Sequence, residues 1–150
     1  MPLFLYINTT EREDFEIALL SDQKAIKRKT VKSVRRHSEK LLLSVNNLLI
    51  AGGHELKDIN GIVVAKGQGS FTSLRIGIAM ANALSYALGA PVVGIEAGEL
   101  DLSGSRGKID KTVLFAENGH SRSLRINSLF KQTKSPKIIT PRYGQDFNAN

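Results

Sequence analysis

The spacing of hydrophobic positions changes several times along the chain, and each change marks an element. Pro2 to Asn8 is a compact apolar run, which predicts a buried strand. After the polar turn "NTTERED", Phe15, Ile17 and Leu19 alternate with other residues and predict a second strand. Lys24 to Val34 is polar, with Ile26, Val31 and Val34 sparsely placed. It reads as an exposed third strand whose lysines discourage edge-to-edge pairing. In "HSEKLLLSVNNLLIAGG", Leu41, Val45, Leu48 and Leu49 fall at i, i+4, i+7 and i+8, one face of a helix. Ser38 is placed to cap its start, Glu39 suits the positive helix end, and Gly52-Gly53 supplies the stop. Leu42 and Ile50 widen the apolar stripe beyond what one sheet contact needs, either as a broad core face or as a second contact surface.

Gly61–Ala65 is apolar on both faces, as a central strand covered on both sides would be. The next helix, roughly Thr72 to Leu88, is apolar nearly all round and rich in small residues, among them Gly77, Ala79, Ala81, Ala83 and Ala87. Such a helix is expected to be buried on more than one side. Gly89 ends it and "PVVGIE" forms another buried strand. Three strands, helix, strand, helix, strand is an α/β order with the ribonuclease H-like layout, the half-unit of the actin-like ATPase folds. After Glu96 the signal weakens to a strand at Thr112–Ala116, a second at Lys137–Thr140, and a tail in "YGQDFNAN". The expected division is an N-terminal lobe over residues 1–105 and a reduced C-terminal segment over 106–150.

Bulk properties narrow the class. The 150 residues, 41% hydrophobic and 23% charged, suit a soluble globular chain with a real core. No apolar run reaches the roughly 20 residues that cross a bilayer, and "PLFLYI" meets the acidic "EREDFE" without a basic flank, so it reads as a strand and not a leader. Zero cysteines exclude disulfides and thiol catalysis and fit a cytoplasmic location. The net charge of +7 is concentrated. Between Lys24 and Arg36 stand seven basic residues and no acidic one, and from Arg106 to Arg142 nine basic residues face only Asp110 and Glu117. These clusters are either a solvated surface or a means of steering RNA or an acidic partner. The first contains no aromatic residue to stack on bases, which argues against a single-strand reader.

The strand–Gly-loop–helix at Val63–Met80 has the layout of a phosphate site, but the residues do not follow. Counting from Gly67 puts Thr72 and Ser73 where the Walker pattern needs Gly-Lys. Gly67-Gln68-Gly69-Ser70-Phe71-Thr72 also lacks the third glycine of the dinucleotide fingerprint. What remains is a tight turn at Gly67 and Gly69, with Ser70 or Thr72 as helix cap. Arg75 sits in the first helical turn, where the macrodipole disfavours a cation, so an acidic group, carbonyl or anion is expected beside it. His37, His54 and His120 show no zinc spacing and read as exposed helix-start or loop residues. Ser70 lacks the hydrolase elbow context. Asn8 stands at the end of the first strand, where actin-like ATPases carry an acidic metal-holding residue. An amide is a weaker ligand for a hard cation than a carboxylate. No catalytic residue and no metal ligand is assigned.

Three segments together resemble a known family: "INTT", "HSEKLLLSVNNLL" and "GQGSFTSLRIGIAMANALSYALGAPVVGI" are similar to the TsaB (YeaZ-type) family, bacterial proteins required for making threonylcarbamoyladenosine in tRNA. The family's Asp-Thr-Ser stands here as Asn8-Thr9-Thr10, and its loop "GPGSFTGLRIG" as Gly67-Gln68-Gly69-Ser70-Phe71-Thr72-Ser73-Leu74-Arg75-Ile76-Gly77. "PRYGQDF" also looks like the close of some members. The resemblance implies an actin-like fold and a non-catalytic scaffold role. It implies docking on a TsaD-type catalytic subunit that is joined by a TsaE-type ATPase, with ATP used by the partners and no cofactor held tightly by this chain. The implied docking surface is the helix pair, through Ser38, Leu42, Val45, Leu49, Ile76, Met80, Ala83 and Ala87. Homodimers are expected when the partner is absent, and tRNA contact is expected to be indirect or weak. Typical members carry a larger second lobe. Gln68 and Ser73 replace the family's proline and glycine, loosening the turn and removing a close-approach point. Against this stand a nuclease or ATPase built on Asp14, Glu39 and Glu96, which have no decisive spacing, a peptidase, and a self-associating binding protein.

Overall fold

In the computed structural model the described residues are 2–21, 25–33, 37–66, 71–96, 100–101, 114–117 and 120–123. β1 (Leu3–Asn8), β2 (Asp14–Leu20) and β3 (Ala25–Lys32) form an antiparallel meander. α1 (His37–Ala51), a short 3-10 turn (Leu56–Asp58), β4 (Ile59–Ala65), α2 (Phe71–Leu88) and β5 (Val92–Ile95) follow. The sheet order is β3-β2-β1-β4-β5, with β4 parallel to β1 and β5 parallel to β4. This is the ribonuclease H-like lobe of the actin-like fold. A separate three-stranded antiparallel sheet joins β6 (Leu100–Asp101), β7 (Leu114–Glu117) and β8 (His120–Ser123). β7 meets the expected strand near Thr112–Ala116, β6 and β8 were not expected, and the strand expected at 137–140 lies outside the described residues.

Strand periodicity divides the sheet into two apolar faces. Leu3, Leu5 and Ile7 of β1, Phe15, Ile17 and Leu19 of β2, and Ile62 and Val64 of β4 share one core with the helices. Phe4, Tyr6, Ala18, Leu20, Val63 and Ile95 form a second cluster on the other face. On the helix side, Leu41, Val45, Leu48 and Leu49 of α1 and Leu74, Ile78, Ala81 and Leu84 of α2 are buried. Each large side chain so buried contributes roughly 1.5–3 kcal/mol. α1 lies over β2 and β3, and α2 over β4 and β1.

Both helices end in the same way. Gly53 has φ 76°, the His54 N–H donates to Leu49 O (2.8 Å), and the Gly53 N–H donates to Ile50 O (3.0 Å). Gly89 has φ 63° and the Ala90 N–H donates to Ser85 O. Glycine takes the left-handed position at little cost and lets the chain turn back to satisfy the last carbonyls. The helix starts differ from expectation by one residue. His37 is already helical, so Ser38 lies inside the first turn and does not cap it; likewise Phe71 is helical and Thr72 is not a cap.

Candidate functional site: the strand-end bracket and the helix-pair surface

The end of β1 lies beside the start of α2; of the polar groups there, Asn8 is engaged locally and Thr9 joins the two elements. Asn8 Oδ1 accepts from the Thr10 N–H (3.0 Å) and from Thr10 Oγ1 (2.7 Å). The Asn8 side chain also hydrogen-bonds Tyr6. Burial, and then the Glu16 carboxylate, push the Tyr6 phenol well above the usual tyrosine range, against smaller opposing effects of Asn8 and Arg28. Glu16 is itself held by Arg28 at 2.7 Å. Asn8 is thus a bracket across a turn. Thr9 is buried and donates from Oγ1 to Ser73 O in the first turns of α2 (2.7 Å). A Cβ at Gly77 would collide with Thr9 Oγ1 and lie 3.0 Å from Thr9 Cγ2. The first threonine of "INTT" and the last glycine of "GQGSFTSLRIG" are therefore two halves of one contact, which neither motif discloses alone.

Gly67, Gly69 and Ser70 lie outside the described residues, and Phe71 is placed only as the first residue of α2. Thr72 and Arg75 are exposed in its first turns. Of the carboxylates a nuclease or ATPase would use, Glu39 is exposed on α1, Asp14 begins β2, and Glu96 follows β5. Among the described residues no three His, Asp or Glu side chains gather as a metal site, and no helix is long and apolar enough to cross a membrane.

The histidine expectation is corrected at His37, which is 2% exposed. Its Nδ1 lies 2.8 Å from Ser33 O, and its Nε2 lies 3.0 Å from both Glu11 O and Asp14 O. Phe15 packs edge-on at 5.3 Å between ring centroids. The ring ties the β1–β2 hairpin to the start of α1. Its bonds run to main-chain oxygens of distant residues, which spacing in the sequence does not register.

The helix pair presents an apolar surface, though not through all the expected residues. Leu42 (46% exposed), Leu43 (61%) and Ile50 (64%) stand out from α1. On α2, Ala79, Ala83 and Ala87 are exposed and Ile76 and Met80 half-buried, with Tyr86 (91% exposed) to one side. Ser38 is exposed at the start of α1. Val45 and Leu49 are corrected: both are fully buried, because the Leu41–Val45–Leu48–Leu49 stripe faces the sheet. Two lysine bonds fix how α1 is turned. Lys40 Nζ donates to Lys32 O (3.2 Å), and Lys27 Nζ donates to Ala51 O (3.0 Å). The Lys40–Ala51 side of α1 therefore flanks β3. At about 100° per residue, Leu42 and Asn46 point away from β3, toward α2. Leu42, Leu43 and Ile50 on α1 and Ile76, Ala79, Met80, Ala83 and Ala87 on α2 put a band of exposed and half-buried apolar residues on the outer sides of the two neighbouring helices.

Comparison with known proteins agrees with this architecture. A family model described as TsaD: tRNA N6-adenosine threonylcarbamoyltransferase matches residues 26–134. The chain is 38% identical over 61 residues to the tRNA threonylcarbamoyladenosine biosynthesis protein TsaB of Escherichia coli, covering 41% of this chain and 26% of that protein. It is 39% identical over 61 residues to the tRNA N6-adenosine threonylcarbamoyltransferase of Geotalea uraniireducens, covering 41% and 18%. The structure of YeaZ from Pseudomonas aeruginosa superimposes with a TM-score of 0.64 at 25% identity, covering 81% of this chain and 64% of that one. The chain thus spans well under half of the curated relatives it matches and just under two thirds of the YeaZ chain. With the family model matching most of its length and the β3-β2-β1-β4-β5 lobe in place, the chain belongs to the family whose model is described as TsaD: tRNA N6-adenosine threonylcarbamoyltransferase, and within it is similar to TsaB and YeaZ proteins.

Proposed function

We propose that this chain is a non-catalytic subunit in the biosynthesis of threonylcarbamoyladenosine in tRNA, docking its α1–α2 surface on a TsaD-type catalytic subunit. The observation that carries the reading is the band of exposed Leu42, Leu43, Ile50, Ala79, Ala83 and Ala87, which no element among the described residues covers. Small residues on α2 let a partner helix approach closely, and the larger leucines on α1 supply the apolar area that anchors an interface core. The non-catalytic role draws support from Asn8, whose side-chain oxygen is already engaged twice by Thr10. A TsaE-type ATPase joins the pair in this reading, ATP is used by the partners, and the location is cytoplasmic.

The test is a titration of a TsaD-type subunit with the purified chain and with Leu42→Asp and Ala83→Asp variants. Loss of a hundredfold or more in affinity is expected from either, with unfolding midpoints near the parent's, since exposed substitutions typically change stability by about 0.5 kcal/mol or less. Undiminished binding by both variants overturns the helix-pair interface. Metal-dependent ATPase or protease turnover by the purified chain alone overturns the non-catalytic reading. The same band favours a second reading, a homodimer when no partner is present. Sedimentation of the parent against Leu42→Asp separates dimer from monomer.

A further inference from the structure

Among the described residues β3 is an edge of the main sheet, and its outward character is set by lysine. Lys27, Lys29 and Lys32 are exposed along it, and Lys40 stands beside it on α1. Lys27 and Lys29 lie on the same side of the strand, paired in register with Leu19 and Ile17, so no carboxylate stands across from either. Two residues of extended chain separate them by roughly 6.6–6.8 Å. Two amines mark the β3–α1 seam: Lys27 is anchored at the carbonyl end of α1, and Lys40 reaches the end of β3, while Lys29 is exposed on the same side of the strand as Lys27. The acidic groups of the neighbouring strand lie elsewhere. Glu16 is on the opposite sheet face and taken by Arg28, and Asp14 is paired in register with Lys32.

Lysines on an edge strand blunt it against aggregation, and that role leaves their amines free to meet an anion in addition. This edge carries only one sign, in a segment with seven basic residues and no acidic one between Lys24 and Arg36. Protein interfaces are depleted of lysine and built around apolar or aromatic anchors, and the exposed part of β3 offers neither. Single-stranded nucleic acid is gripped by aromatic stacking, and no aromatic residue lies in β3. A row of point charges without stacking groups suits the phosphate backbone of folded RNA.

We propose that the β3–α1 seam, through Lys27, Lys29 and Lys40, is a phosphate-backbone contact for structured RNA, separate from the apolar band on the helix pair. The identification of that RNA as tRNA rests on the function proposed above; the contact itself does not. The experiment is fluorescence-anisotropy binding of total bacterial tRNA to the full chain between 50 and 200 mM KCl. Comparisons are Lys27→Gln/Lys29→Gln, the charge-preserving Lys27→Arg/Lys29→Arg, and Lys57→Gln/Lys66→Gln, which removes equal charge away from the seam. Losing two phosphate contacts lowers the slope of log K against log salt by about 1.4–1.8. That drop is expected for the glutamine pair at the seam, not for the arginine pair or the distant glutamine pair. An equal drop in the distant pair, or none at the seam, overturns the proposal. Binding of polyglutamate as tight as that of tRNA, and lost in the seam variant, overturns it in favour of an acidic protein. Leu42→Asp is expected to leave the tRNA slope unchanged. Undiminished partner docking by Leu42→Asp, with the seam-dependent drop in slope still seen, therefore counts against the apolar interface alone.

Discussion

Replacing Gly77 by alanine should destabilise the protein although it improves the helix. Alanine is favoured over glycine in a helix interior by roughly 0.5–1 kcal/mol. Here the added methyl enters the space of Thr9 Oγ1 and sits 3.0 Å from Thr9 Cγ2. Thr9 is buried and cannot swing into solvent, so relief requires breaking its hydrogen bond to Ser73 O. Leaving a buried polar group unpaired costs about 1–3 kcal/mol, and forcing a methyl into a filled core costs about 1–3 kcal/mol more. The net expectation is a loss of about 2–4 kcal/mol. Thr9→Ala alone also destabilises, by the lost bond and the gap it leaves. In the double variant the two alanines share the space, and the Gly77 substitution should cost nothing or stabilise slightly. Urea unfolding followed by circular dichroism gives all four corners of this cycle, and a coupling of about 2 kcal/mol or more is expected. Additivity within about 0.5 kcal/mol, the behaviour of independent sites, would refute the close approach. Because Gly77 lies in the helix that bears Ile76, Ala79 and Ala83, partner affinity should fall in Gly77→Ala and return in the double variant.

Other consequences can be measured on the same footing. His37→Ala should cost about 2–4 kcal/mol in urea unfolding, since it opens a cavity and strips hydrogen bonds from one buried and two partly buried carbonyls. Ser33 Oγ is buried without a hydrogen-bond partner among the described residues, so Ser33→Ala should hold or raise the midpoint. Tyr6 holds its proton in the fold at a pH where an unfolded tyrosine releases it, so its contribution is full below about pH 10 and falls above it, by about 1.4 kcal/mol per pH unit. Tyr6→Phe should remove that part of the alkaline loss between pH 9 and 11. Val45→Asp should fail to fold instead of selectively losing its partner, because it places a carboxylate in the core under α1.

The order of elements was legible because each has its own period: alternation at Phe15, Ile17 and Leu19, and the i, i+4, i+7 stripe from Leu41. The outer face of α1 was only half legible. Leu42 and Ile50 stood out as surplus, but adjacent leucines all count as apolar until the helix is turned by contacts such as Lys40 with Lys32 and Lys27 with Ala51. Val45 and Leu49, named in the docking surface only through the resemblance, belong to the core stripe that the periodicity marks from Leu41. His37 and the Thr9–Gly77 contact escaped because their partners are distant in the chain or are main-chain atoms, which leave no pattern of residue types.

The way His37 anchors the hairpin has a consequence for how this protein can diverge. Every hydrogen bond from the ring ends on a backbone oxygen, at Glu11, Asp14 or Ser33. Glu11, Arg12 and Glu13, whose side chains are exposed, can therefore exchange for other residues without loosening the hairpin. A one-residue insertion or deletion is another matter, since it would slide both carbonyls off the imidazole at once. The turn should be permissive in residue type and strict in length, so its length is the better guide to which relatives keep the same junction between hairpin and helix.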